Sequence, residues 1–180
     1  PHHFQQSGVH FERQLAHQLK RVSPFYWGLL QVKFDEIALT HNRLTVEEFH
    51  GVMPDGTLIQ FMVGDTASEN GDGGADSLSI DLSDAEVESN KPFYVCVALP
   101  KLTDACASDE ETELKRYKSV NSGLAVDQND ANNKVDVVRL RPVLRLVVEE
   151  SLSPNYTAFP IARLEMSIDG SFTMLPYTPP

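Results

Sequence analysis

Residues 43–63 read RLTVEEFHGVMPDGTLIQFMV. At the centre, Pro54-Asp55-Gly56 has the chemistry of a tight turn: proline presets its own φ, and glycine supplies a positive φ without steric cost. The flanks, 43–53 and 57–63, are rich in valine, threonine, isoleucine and phenylalanine, so the stretch reads as a β-hairpin. The fold class then depends on whether the rest of the chain continues this pattern.

It continues in both directions. Upstream, Leu30, Val32 and Phe34 alternate against Gln31 and Lys33, the period of a half-buried strand within 25–34. Downstream, 78–82 alternates as a short strand, and 92–99 is a continuous apolar run of the kind found at the centre of a sandwich. Further strands are expected at 114–126, 135–150, 159–168 and 172–177, separated by Asn, Asp, Gly or Ser-Pro punctuation. Two acidic stretches interrupt the series, 64–77 and 103–113. The first holds four glycines, three aspartates and one glutamate with hardly an apolar side chain, so both read as loops. Only one segment has a helical period: Phe4, Phe11, Leu15, Leu19 and Val22 fall on one face, and Ser23-Pro24 should end it because proline lacks an amide hydrogen. One helix followed by many short strands predicts a mainly β, antiparallel β-sandwich with an N-terminal α-helix, and 180 residues fit a single domain over 1–180.

Composition narrows the function. The chain is 41% hydrophobic and 23% charged, which is ordinary for a globular domain. A formal net charge of −11 and a pI near 4.9 argue against nucleic acid as a partner. No run approaches the roughly 20 apolar residues that span a bilayer, and no cationic segment precedes an apolar one at the start. The opening at Pro1 and the close at Pro179-Pro180 suggest a piece of a longer protein. Cys96 lies in the apolar run and Cys106 in an acidic stretch, so two free thiols are expected in place of a disulfide, which favours a cytoplasmic setting. The sequon Asn155-Tyr156-Thr157 reads as a chance match.

Motifs for chemistry are absent or incomplete. His3, His10 and His17 share a helical face, but seven residues of helix advance about 10 Å, too far to share one zinc. Asn70, Asp72, Gly73 and Asp76 match positions of a calcium loop, yet Ser68 and Ser79 occupy its first and last ligand positions. The stretch 71–76 resembles one calcium-binding β-helix repeat, without the neighbours such repeats stack on. No nucleophile elbow, catalytic cysteine signature or phosphate loop occurs. Asp35-Glu36, Glu47-Glu48 and Glu149-Glu150 are adjacent, so on strands each pair would point to opposite faces. Lys115-Arg116-Tyr117-Lys118 is a small basic cluster, and Arg139, Arg141 and Arg145 are expected to line one strand face opposite Leu140, Leu144 and Leu146. Either group suits an acidic partner or balances the surplus of acids. No catalytic residue, metal or cofactor is assigned.

Pro1-His2-His3-Phe4-Gln5-Gln6 resembles the Pro-x-His-Phe-Gln-Gln signature near the start of TssK-family proteins of the bacterial type VI secretion system. In the same order follow Ser23-Pro24-Phe25-Tyr26-Trp27-Gly28-Leu29, Gly51-Val52-Met53-Pro54-Asp55-Gly56-Thr57, and Val97-Ala98-Leu99-Pro100. Pro160-Ile161-Ala162-Arg163-Leu164, Gly170-Ser171-Phe172 and Pro179-Pro180 resemble the close of the family's first domain. The departures are His2 and Ser7 at positions where glutamine is frequent, and the lack of the segment that usually precedes Pro1.

The resemblance implies an N-terminal shoulder domain, similar to that of phage receptor-binding proteins, with the helical neck and C-terminal head absent from these residues. It further implies a structural adaptor without catalysis, cytoplasmic and recruited to the inner-membrane-associated machine, anchoring TssK trimers to the TssF and TssG wedge. Trimerisation through the neck and contact with the membrane complex through the head would lie outside this chain. Phe4, Gln5, Gln6 and Trp27 are the expected partner-binding residues, although Trp27 also suits internal packing. The alternative is a β-sandwich module that binds carbohydrate or peptide at its loops, and the two acidic loops carry no aromatic residue for a sugar to stack on.

Overall fold

The structure, a computed structural model, describes residues 2–63, 78–102, 115–126 and 134–180, with the backbone alone at 2–6, 9, 12, 120–126 and 134–139. The helical period becomes α1, His2–Val22, which carries Lys20 and Arg21 in its last turn, where cations complement the helix dipole. Ser23 N–H closes it on the Leu19 carbonyl at 2.9 Å, and Pro24 follows. The hairpin becomes β2, Arg43–Val52, and β3, Leu58–Met62, around a turn in which Gly56 adopts φ +95°.

β1, Gly28–Phe34, pairs along one side of β2. The other side is shared: β3 pairs with its second half, and β4, Leu78–Asp81, pairs with its first half. The second sheet has the order β10-β9-β5-β8. Its members are β5, Pro92–Pro100; β8, Arg145–Val148; β9, Tyr156–Met166; and β10, Phe172–Leu175. All described pairings are antiparallel. The apolar faces of the two sheets meet in one core, with Leu44, Val46, Phe49 and Met53 on one side and Val95, Val97, Leu99, Phe159 and Leu164 on the other. The predicted antiparallel sandwich with its N-terminal helix is therefore the observed architecture.

A third element, the ribbon β6–β7 (Tyr117–Val126 and Lys134–Pro142), pairs only with itself among the described residues. Its first strand falls within the one expected at 114–126, whereas the single strand expected over 135–150 is divided at Pro142. Pro142 has no amide hydrogen to continue a ladder, so the chain leaves β7 there and re-enters the second sheet as β8. Arg145 therefore lies opposite Ala98 in another sheet, and Arg139, Arg141 and Arg145 do not line one strand face. Glu149-Glu150 sits in a 3-10 turn, Glu149–Ser151, and not in a strand.

Two further departures are local. The alternation over 30–34 slips, because a register shift between Leu29 and Gln31 turns Leu30 outward. Asp35 is not a strand residue. It caps a short helix, α2 (Glu36–Leu39), accepting hydrogen bonds from Ile37 N–H at 2.9 Å and Ala38 N–H at 3.2 Å.

Candidate functional site

Phe4, Gln5 and Gln6 lie in the first turns of α1, and Trp27 lies beyond its far end. Eighteen helical residues separate Phe4 from Val22, a distance of about 27 Å along the axis, so the structure does not gather the four into one patch. Trp27 packs on the core, its ring 5.7 Å from that of Phe159. Internal packing is the role its geometry supports.

The apolar face of α1 is the more informative surface. Phe11, Leu15 and Val22 are 67%, 63% and 82% exposed, and Phe25 just beyond them is also exposed. The sandwich fills its core from its own two sheets and leaves this stripe uncovered. The helix touches the body through small or local contacts. Ala16 approaches Gly56 so closely that a Cβ there would lie 2.7 Å from the Ala16 Cβ. Nearby, the Lys20 ammonium stands 5.5 Å from the centre of the Tyr26 ring, and the Tyr26 hydroxyl donates to the Pro54 carbonyl. An amphipathic helix normally buries such a stripe, and each of these side chains would gain about 1.5–3 kcal/mol on full burial.

Arg116 shows how the turn under the helix is held. From the edge of the ribbon it reaches inward and is only 3% exposed. Its guanidinium donates to Asp55 Oδ2 at 2.7 Å, to Thr57 Oγ1 at 2.8 Å and to the Pro100 carbonyl. Burial pushes the Asp55 carboxyl upward, but hydrogen bonds from Thr57 and Arg116 outweigh it and hold the group below the ordinary carboxylate range. The sequence showed Arg116 only as one of three cations. Nothing in the local sequence, Glu113-Leu114-Lys115-Arg116-Tyr117-Lys118, separates it from its neighbours, because its partners come from residues 55, 57 and 100.

The base of the ribbon forms a second surface. Leu58, Phe61 and Met62 of β3 face Arg141, Pro142 and Leu144 across a groove of about 170 Å³. Lys118 and Arg141 stand directly opposite each other in the ribbon. Burial, followed by the Arg141 charge, draws the Lys118 ammonium below its ordinary value.

Little here resembles a reaction centre. Among the described residues no cluster of three or more His, Cys, Asp or Glu is placed to hold a metal ion. His10 and His17 are exposed on α1, and His10 shares a hydrogen bond with Gln14 at 3.1 Å. Cys96 is a free thiol, pushed up to about 12 by burial and then by Glu149 and Glu150. Glu47 pairs with Lys33, and Glu48 accepts from Gln31 at 2.9 Å, so neither carboxylate works with the other. The acidic loops, Cys106, and the calcium-like positions 68–77 lie outside the described residues. No helix among the described residues is long and apolar enough to cross a membrane.

Residues 3–180 match the family described as "Bacterial Type VI secretion, VC_A0110, EvfL, ImpJ, VasE". No curated protein matches. Among solved structures, a crystal structure of TssK is similar at 24% identity and a TM-score of 0.76, over 97% of this chain and 38% of that one. A chain of the type VI secretion TssK-TssF-TssG baseplate subcomplex, determined by cryo-electron microscopy, is 25% identical with a TM-score of 0.77, over 100% of this chain and 57% of that one. A chain of the type VI baseplate complex gives 24% and 0.75, over 100% and 55%. The present chain thus spans between 38% and 57% of the length of these relatives.

Proposed function

Because the chain belongs to the TssK family of type VI secretion proteins, we propose that it is a structural adaptor of the baseplate which anchors TssK trimers to a wedge of TssF and TssG. Residues 1–180 act in this reading as the shoulder unit of a longer protein, in the cytoplasm and without catalysis. One observation of the geometry carries the proposal: a closed sandwich presents a long helix whose apolar stripe it does not cover. An enzyme of this size would invest its exposed chemistry in a cleft with convergent polar groups. This chain presents instead a helix face with an exposed apolar stripe. The similarity to chains solved within TssK-TssF-TssG assemblies supports the choice of partner.

Within this reading Phe4, Gln5 and Gln6 in the first turns of α1 belong to the partner-binding segment, while Trp27 supports the body. The test is a pull-down of this chain with co-expressed TssF and TssG, an unrelated acidic β-sandwich serving as control. Retention of the wedge proteins is expected, with a loss in the Gln5→Ala, Gln6→Ala double variant. Failure of the unaltered chain to retain them overturns the anchoring role, and full retention by the double variant removes Gln5 and Gln6 from the docking face.

A further inference from the structure

Among the described residues, α1 meets the body through its second half. Ala16 rests against Gly56, and the Lys20 ammonium stands 5.5 Å from the centre of the Tyr26 ring. On the N-terminal side of that anchor every described residue from Ser7 to Leu15 is exposed, and a Cβ added at Gly8 would meet nothing within 4 Å. Residues 2–15 are thus an arm of roughly 21 Å that draws no support from the sandwich among the described residues.

Such an arm has little to keep it helical by itself. Helices in proteins take most of their stability from packing an amphipathic face, and isolated ones of about 12–15 residues are marginal in water even when rich in alanine. Residues 2–15 contain no alanine, and they include Gly8, Ser7, Val9 and the three histidines His2, His3 and His10. Glycine is the poorest helix former after proline, and the others rank in the weaker part of the scale. The bond between His10 and Gln14, 3.1 Å long, is only a local support. Phe11 and Leu15 stabilise the helix once another surface covers them. We propose that residues 2–15 become helical as the TssF and TssG wedge covers this stripe, so that docking and folding of the arm are one event. The continuous helix His2–Val22 is then the docked form. The proposal rests on the baseplate reading above, which makes the stripe the docking face. A segment that orders on binding spends part of its contact energy on that ordering. Helix propensity in the arm therefore sets affinity even at positions the partner does not touch.

His10 supplies the test. It is exposed, and it lies about 100° or more around the helix from Phe11, Leu15 and Ala16. His10→Ala and His10→Gly remove the same side chain and differ in helix propensity. The His10→Gly chain should bind the TssF and TssG wedge about four- to fivefold more weakly than the His10→Ala chain, the full difference between the two residues, while both sandwiches melt alike. Amide hydrogen exchange across 6–15 should be near that of an unfolded chain in the free protein and should slow in the complex. Equal affinities of the two variants, or slow exchange across 6–15 in the free protein, overturn the proposal. Either leaves the baseplate reading standing as long as the unaltered chain binds the wedge. Protection across 6–15 that grows with chain concentration in the absence of the wedge overturns the proposal in favour of a second copy. Failure of the unaltered chain to bind the wedge removes both readings together.

Discussion

Asp55 Oδ2 lies 2.7 Å from Arg116 Nη2, joining residues 61 positions apart and tying the β2–β3 turn of the first sheet to the end of β5 in the second. The pair sits beneath α1, so the helix rests on a turn that the ribbon base holds in place.

Removing either partner should be costly, because it leaves a buried Arg116 guanidinium or a partly exposed Asp55 carboxylate with its charge unmatched. Asp55→Ala is expected to lower unfolding stability by about 1.5–3 kcal/mol, the range for hydrogen bonds to charged groups, read as a shift of the urea midpoint. The pH dependence has a definite sign. The folded-state pKa of Asp55 is depressed, so its contribution is complete above the unfolded value of about 3.9 and is lost as pH falls through the folded one. Asp55→Asn should flatten that part of the acid limb of stability against pH.

Gly56 answers two demands at once, a φ of +95° and the close approach of Ala16. Gly56→Ala should destabilise by about 1–2 kcal/mol from the backbone alone, with a further loss from the clash. Ala16→Gly in the same chain should recover the second part and not the first. A double-mutant cycle by chemical denaturation separates them.

The stripe on α1 is expected to matter for partners and little for the body. Leu15→Glu should leave the melting of the sandwich within about 0.5 kcal/mol of the unaltered chain, yet reduce retention of the wedge proteins. A large loss of stability would instead place Leu15 in the folding core.

Cys96 is buried and its thiol raised to about 12, and the thiolate is the reactive form. In a Cys106→Ser background, alkylation at pH 8 should therefore proceed at the rate of unfolding and speed up with urea. Rapid modification under native conditions would contradict the burial.

Much of this architecture was legible in the residues themselves. The end of α1 at Ser23-Pro24, the Pro54-Asp55-Gly56 turn and the buried run of β5 all depend on local chemistry, and each lies where the sequence placed it. What could not be read was where strands go after they form. Pro142 signals a break, but its consequence, on one side a ribbon that pairs only with itself among the described residues and on the other β8 in another sheet, is decided by packing. The outward turn of Leu30 comes from a bulge, which changes the meaning of alternation without changing composition. The candidate surface was legible only in part: the helical stripe was visible, but its exposure was not, and Arg116 looked like its neighbours until the fold brought Asp55 to it.

β5 pairs with β9 between residues more than fifty positions apart, from Pro92 with Glu165 to Pro100 with Tyr156. Closing so long a loop costs entropy before any contact rewards it, and topologies of this kind fold slowly. During synthesis, the most apolar strand of the protein emerges from the ribosome well before the strands that cover it. A nascent chain halted before residue 156 would thus leave the β9 side of 92–100 open to chaperones or to other nascent chains. The chain's risk of aggregation is therefore concentrated in the interval of translation between β5 and β9.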